Sequence, residues 1–438
     1  MKRWMAAVCA GVLLALSGCA RYEPVGVFDE SVETVSLGDE GGNGELVPGM
    51  NVDGGQGENG ARAGTGGQLS DSFGAGAKAQ AGAGSQAQGG GNRTPIAIST
   101  ISRPEPVKVK GIYISAYVAG TESMMDSILD QMEGTQLNSV VIDFKDDEGR
   151  ITCSIDSPLV NEIGASRVLI QDMPGLIQKL KDRGIYPIAR VVAFRDPYLA
   201  EQKPEWSLHK ADGSIYRDRS GLAWVNPYRK EVWDYLVDVG KMAGELGFSE
   251  VQFDYIRFSV DNTVADVVFD PEDTQGRSKT EAITQFMDYA YDELAKAGLY
   301  VSADVFGTII RSTQDARSVG QDYGEMAANV DYICPMIYPS HYSSGSFGIE
   351  HPDTQPYDTI YQALLGSKEA LEEAKEEKVG RQAIVRPWLQ DFTASYLDHY
   401  ISYGDEEVQA QIQAVQDAGY EEWLLWDAGV SYHYGGAA

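Results

Sequence analysis

From about residue 107 onward, short apolar runs alternate with stretches in which apolar residues return every third or fourth position. Eight runs have strand-like composition: 110–118, 139–146, 186–194, 250–258, 300–307, 330–339, 383–392 and 422–430. They are rich in Val, Ile, Tyr and Phe, as strands buried on both faces are. The segments between them read as amphipathic helices. "MPGLIQKLKDRG", "PYRKEVWDYLVDVGKMAGELG" and "EEVQAQIQAVQDAG" each end on a glycine suited to a left-handed cap before the next strand. Strand, helix, glycine turn and strand, eight times over, predicts an α/β fold of the (β/α)8 TIM-barrel type. An open doubly wound sheet is the alternative. It ordinarily has fewer strands and a Gly-rich phosphate turn after the first, and none follows "GIYISAYV".

The first hundred residues have a different texture. Lys2 and Arg3 precede an apolar stretch at 4–16, followed by "LSGC". A positive start, a short apolar core and a small-residue cleavage site describe an export signal over residues 1–18, too short to span a bilayer well. "LSGC" resembles the lipobox of bacterial lipoproteins, which implies lipidation of Cys19 and an extracytoplasmic, membrane-anchored product. A plain secretory signal with an incidental cysteine is the alternative. Residues 19–105, with runs such as "GAGAKAQAGAGSQAQGGGN", hold too few apolar side chains to offset ordering entropy and read as a disordered Gly-rich linker. Such a coil would span roughly 50 Å end to end. Residues 106–438 are the expected folded domain.

Composition changes this picture in two respects. The formal net charge of −30 argues against a nucleic-acid partner, whose backbone calls for a basic surface, and otherwise favours solubility. Of four cysteines, Cys9 and Cys19 belong to the export segment, while Cys153 and Cys334 lie in apolar, strand-like settings. They are expected as buried free thiols rather than a disulfide framework. A monomer is expected.

In a TIM barrel the C-terminal strand ends form the floor of the active site. Side chains of one parity put Asp143 with Lys145, Gln252 with Asp254, and Ser302 with Asp304 and Phe306. The same parity groups Arg386, Trp388 and Gln390, and Tyr113, Ser115 and Tyr117. A purely structural barrel would fill such positions with Val, Ile and Leu, so a polar pocket is expected at one end. Each residue also has a plainer reading. Asp143 could brace "KDDEGR", Asp254 could be only the ion partner of an interior arginine such as Arg190, and Asp427 could cap the last turn. Arg257 has the opposite parity to Asp254, and is expected to turn back to the pocket at the loop rather than to pair outside the barrel. Trp206, Tyr216 and Trp224 after the third run, and the aromatics beside His341 in "SHYSSGSFGIEHPDTQPY" after the sixth, suit sugar rings but could equally pack loops. The five histidines are scattered, and no cofactor or metal is called for, although a carboxylate-only Mg²⁺ or Ca²⁺ site stays open.

"VVIDFKDDEGRI", "VQFDYIRF", "SADVFG", "YICPMIYPSHY" and "WLLWDAG", in that order, resemble a bacterial family described as a "putative glycosyl hydrolase domain", over about residues 107–432. Ser259 and Cys334 depart from it, where many relatives carry proline and serine. The resemblance implies a glycoside hydrolase barrel acting on a polysaccharide or oligosaccharide outside the cytoplasmic membrane. It places Asp254 at the end of the fourth strand, where many such barrels hold a catalytic carboxylate, with Asp304 on the next strand as its partner. Asp254 is the expected nucleophile, kept charged by Arg190 or Arg257, and Asp304 the expected general acid in a less polar setting. Strands about 4.8 Å apart would bring the carboxyls near the ~5–5.5 Å of retaining enzymes. Substrate contacts are expected from Asp143, Lys145, Arg190, Arg257, Tyr338, His341, Trp388 and Asp427. A non-catalytic carbohydrate-binding barrel and a metal-dependent hydrolase or deacetylase remain open alternatives.

Overall fold

The computed structural model describes residues 102–377 and 381–438; the export segment, Cys19 and nearly all of the linker lie outside the described residues. Eight parallel strands close a barrel: β1 (Lys110–Ile114), β2 (Ser139–Lys145), β3 (Tyr186–Val192) and β4 (Glu250–Asp254), then β5 (Tyr300–Phe306) and β6 (Tyr332–Met336). The seventh, β7, comes in two pieces, Ile384–Val385 and Trp388–Gln390, and β8 is Trp423–Trp426. The ring closes where Lys110 of β1 stands opposite Trp423 of β8. Both pieces of β7 pair with β6. Pro387 explains the break, because it has no N–H for the ladder, though its carbonyl still accepts from Leu424 N at 2.9 Å.

Each predicted apolar run holds one strand, and every strand stops before its run does. The excess belongs to the loops over the C-terminal end. Ile256 and Phe258, for instance, are buried there beyond β4. The glycines expected to end helices do so: Gly184, Gly247 and Gly419 have φ of +73°, +107° and +77°. Between strands run the return helices, among them Lys230–Glu245, Lys279–Lys296, Pro356–Glu377 and Asp405–Asp417. Ser278 and Glu281 form a capping box at the start of Lys279–Lys296.

Apolar packing forms two shells. The outer one lies between strands and helices, and includes Ile142, Phe144, Phe253 and Val305. The inner one fills the barrel with Tyr113, Val141, Ile188, Cys334, Trp388 and Leu424. Cys153 and Cys334 are buried and free, as expected.

The N-terminal strand ends form a closed floor. Arg386 faces inward, as its parity implies, but at this end and away from any pocket of the mouth. Its Nη1 lies 2.7 Å from Glu250 Oε1, its Nε 2.8 Å from Glu422 Oε2, and all three residues are buried. The guanidinium also sits 3.8 Å from the Tyr332 ring centroid. The lead-in to β1 is fastened here. Arg103 pairs with Asp331 at 2.8 Å, Tyr300 donates to the Pro104 carbonyl at 2.8 Å, and Val109 N donates to Glu422 at 3.1 Å. A groove of about 620 Å³ opens beside this lead-in, against Leu371, Ile384 and Tyr420. Two of its acids are spent on structure, Glu421 on Lys108 and Glu422 on Arg386.

Candidate active site

At the C-terminal end the centre of the arrangement is an arginine. Arg190, on β3, is 1 % exposed, and a guanidinium that deep requires carboxylate partners. Three supply them. Nη1 meets Asp143 at 2.7 Å and Asp147 at 3.1 Å, and Nη2 meets Asp254 Oδ2 at 2.6 Å, with Nε on the same oxygen at 3.0 Å. The planar fork thus bridges β2, the loop after it, and β4.

Local structure sets each partner. Asp143 is inward-facing on β2, and its second oxygen accepts from Tyr113 Oη at 2.6 Å. Burial above all pushes its carboxyl up to about 6, with Arg190 pulling down and Asp147 pushing up. Asp147 rides on a tight turn in which Asp146 Oδ1 accepts from Glu148 N and Arg150 N at 3.0 and 2.9 Å. Gly149 permits that turn: its φ is +79°, and a Cβ there would fall 1.9 Å from Asp196 Oδ1. Burial opposes the charge of Asp147, but Arg190, with Arg195 and Lys145 behind it, outweighs burial and lowers the carboxyl below its usual range.

Asp254 ends β4. The next residue, Tyr255, has φ +52°, unusual for a side-chain-bearing residue, and the bend lets Tyr255 N donate to Asp254 Oδ1 at 2.6 Å. Three contacts hold the bend. Ala193 N donates to the Asp254 carbonyl at 2.8 Å, Phe194 N to the Tyr255 carbonyl at 3.2 Å, and Arg195 to Tyr255 Oη at 2.6 Å. Asp304, one strand over, has different company: Oδ1 accepts from Gln252 Nε2 and Trp388 Nε1, both at 2.7 Å. Burial, reinforced by the charge of Asp254, pushes Asp304 well above the ordinary carboxylate range. The two carboxylates therefore sit on neighbouring strands, one facing a cation and the other facing an indole and an amide.

Aromatic rings wall the space between them. Trp426, at the tip of β8, lies 4.4 Å from Tyr113, 5.6 Å from Trp388 edge-on, and 5.6 Å from the Arg190 guanidinium. Arg257, beyond the strand, lies 4.6 Å over Phe306 at the tip of β5 and 5.0 Å over Trp224. Tyr338 belongs to the inner shell with Trp388. His341 stands edge-on to it at 5.0 Å, and burial holds the imidazole neutral, down to about 3.

Two expected substrate contacts are diverted. A bulge between Asp143 and Lys145 turns Lys145 off the inward face, and its ammonium is spent on Asp196 at 2.8 Å and on the Val192 carbonyl at 2.6 Å, with no exposure. Asp427 takes its plainer role, closing the turn after β8 by accepting from Gly429 N at 3.1 Å and Ser431 N at 2.8 Å. Of the loop aromatics, Tyr216 and Trp224 are buried packing residues. Among the described residues no three His, Cys, Asp or Glu side chains converge as metal ligands would; Asp143, Asp147 and Asp254 converge on a guanidinium instead.

The sequence profile of the family described as "putative glycosyl hydrolase domain" matches residues 111–432, the whole barrel. The chain belongs to that family. Among solved structures, a hypothetical protein from Ruminiclostridium thermocellum ATCC 27405 is 36% identical over 44% of this chain and 97% of that one, with a TM-score of 0.41. The PgaB (BpsB) glycoside hydrolase domain from Bordetella bronchiseptica is 11% identical, covers 74% of this chain and 94% of that one, and has a TM-score of 0.50. At that identity the likeness shows the fold alone. No curated protein matches the chain in sequence.

Within this glycosyl hydrolase family member, Trp426 and Asp147 are the mouth residues that inspection of the sequence passed over. Trp426 shares the parity of Leu424, an inner-shell residue, and that count along the last strand would have found it. Asp147 is the second acid of "KDDEGR", and only the turn around Gly149 reveals where it goes.

Proposed function

We propose that the barrel hydrolyses glycosidic bonds of an extracytoplasmic polysaccharide, with Asp254 and Asp304 as its carboxylate pair. The observation that carries this is the contrast between the two environments, because such enzymes need one acid that is protonated and one that is charged. Asp304, raised by burial, supplies the proton to the leaving oxygen. Asp254, ion-paired with Arg190, attacks the anomeric carbon or activates the water that does. Arg190 and the Tyr255 N–H hold one oxygen each of the Asp254 carboxylate and so fix its direction. Trp426, the partly exposed ring of this cluster, offers its face to the sugar, with Tyr113 and Trp388 packed behind it. A lipid on Cys19 would hold this activity at the membrane surface.

A second reading, a carbohydrate-binding barrel without turnover, is favoured by the small exposure of the pair, 7 % for Asp254 and 2 % for Asp304. Reducing-end release from a panel of cell-wall and environmental polysaccharides separates the two. Hydrolysis by the parent, lost in Asp254→Asn, is the expected result. Asp304→Asn should keep turnover on aryl glycosides whose leaving groups need no proton. Substantial activity in Asp254→Asn overturns the assignment, and binding with no release by the parent establishes the second reading.

A further inference from the structure

The loop after β7, residues 391–404, leaves two tyrosines in water: Tyr396 is 55 % exposed and Tyr400 is 44 %. Tyrosines on a floppy loop would fold back and bury their rings, but this loop is pinned. Ala394 and Tyr403 are buried in it. Tyr403 Oη donates to the Asp353 carbonyl at 3.1 Å, and Gln390 Nε2 reaches Asp353 Oδ1 at 2.9 Å. His399 stacks on His351 of the neighbouring loop with ring centroids 3.9 Å apart. The two ring faces are thus held outward by their own scaffold.

Tyr396 is also tied to the loops beside the mouth. Ser340 N donates to Gln390 Oε1 at 3.1 Å, and the Tyr396 hydroxyl lies beside Ser340. Phe392 stands 5.9 Å from Tyr338, an inner-shell neighbour of Trp388, whose indole holds Asp304. Trp388, Tyr338 and Phe392 therefore form an aromatic cluster between the proposed acid and the root of this loop; Tyr396 stands beside it through Ser340, and Tyr400 follows on the same loop. Rings standing in water at spaced positions, with polar edges, match the alternating apolar faces and hydroxyls of successive sugars.

We propose that Tyr396 and Tyr400 form a glycan-binding platform, so that the substrate is a polymer whose chain leaves the mouth across the β7 loop. This rests on the reading of the mouth as a carbohydrate site, and it adds that recognition extends several sugars beyond the bond that is cut.

The test uses the full chain carrying Asp254→Asn, run in native gels containing hydroxyethylcellulose, glycol chitin, chitosan or galactomannan. Retardation by at least one of these is expected, and Tyr396→Ala with Tyr400→Ala should weaken it by about tenfold or more. Tyr396→Phe with Tyr400→Phe should keep most of it, because the ring face is retained. In the otherwise unsubstituted chain, the alanine pair should raise KM on the polymer and leave turnover of a small aryl glycoside unchanged. No retardation by any of the four, or retardation indifferent to the alanine pair, overturns the platform. Tyrosine-dependent retardation without any hydrolysis supports the platform and removes the hydrolase reading. Hydrolysis of polymer indifferent to the alanine pair does the reverse.

Discussion

Asp143 should make this barrel more stable in mild acid than at neutral pH. It is 5 % exposed, with one oxygen on Arg190 and the other on Tyr113. Burial raises its carboxyl from 3.8 to about 6, so the folded state binds the proton more tightly than the unfolded chain. Above pH 6 both states are ionised, and the folded one bears the cost of a buried charge. At 1.36 kcal/mol per pH unit, a rise of roughly two units corresponds to about 3 kcal/mol. That cost is relieved as pH falls through 6, and it is gone below the unfolded value. Asp143→Asn, neutral at every pH, removes this dependence. Urea unfolding of parent and variant between pH 7 and pH 4 reads it, since other titrating groups are common to both. The stability of the parent relative to the variant should rise by about 2–3 kcal/mol over that range. Parallel curves refute the reasoning. A difference of opposite sign would mean that the pair with Arg190 outweighs desolvation.

Three further outcomes follow from named contacts. Trp388 donates to Asp304 and favours its charged form, so Trp388→Phe should raise the Asp304 carboxyl further and move the alkaline limb of the kcat/KM–pH profile upward; an unmoved limb separates that limb from Asp304. Arg386→Met leaves Glu250 and Glu422 buried at the floor without their cation, and should cost about 3–5 kcal/mol in urea unfolding while KM stays unchanged. Cys19→Ala should leave the membrane fraction or accumulate unprocessed, and membrane association as strong as the parent's would remove the lipid anchor.

The barrel and part of its site could be read from residue patterns alone. Apolar runs and helix-ending glycines locate eight strands because burial on both faces and left-handed caps are local demands on composition. Parity brings Asp143, Asp254, Asp304 and Trp388 inward for the same reason. What parity misses is where regularity breaks. One bulge sends Lys145 to Asp196, and no side-chain alternation can foresee a bulge. Parity also says nothing of depth, so Arg386 faces inward like Trp388 yet serves the floor. Asp427 belongs to a turn whose backbone donors attract the nearest carboxylate. Arg190 was legible as a partner of Asp254, but not as the residue on which three acids converge. That depends on the turn carrying Asp147, and so on which strands become neighbours.

The floor fastening also gives the barrel a front and a back. Arg103, Pro104 and Val109 tie the incoming chain to the strand ends opposite the mouth. The described lead-in therefore enters the barrel at the face opposite the mouth. Tension applied at residue 103 would load the Asp331 and Tyr300 contacts first and leave the strand tips at the mouth untouched. The mouth is thus left clear of residues 103–109: whatever enters there meets the strand tips and their loops, and not the chain's own lead-in.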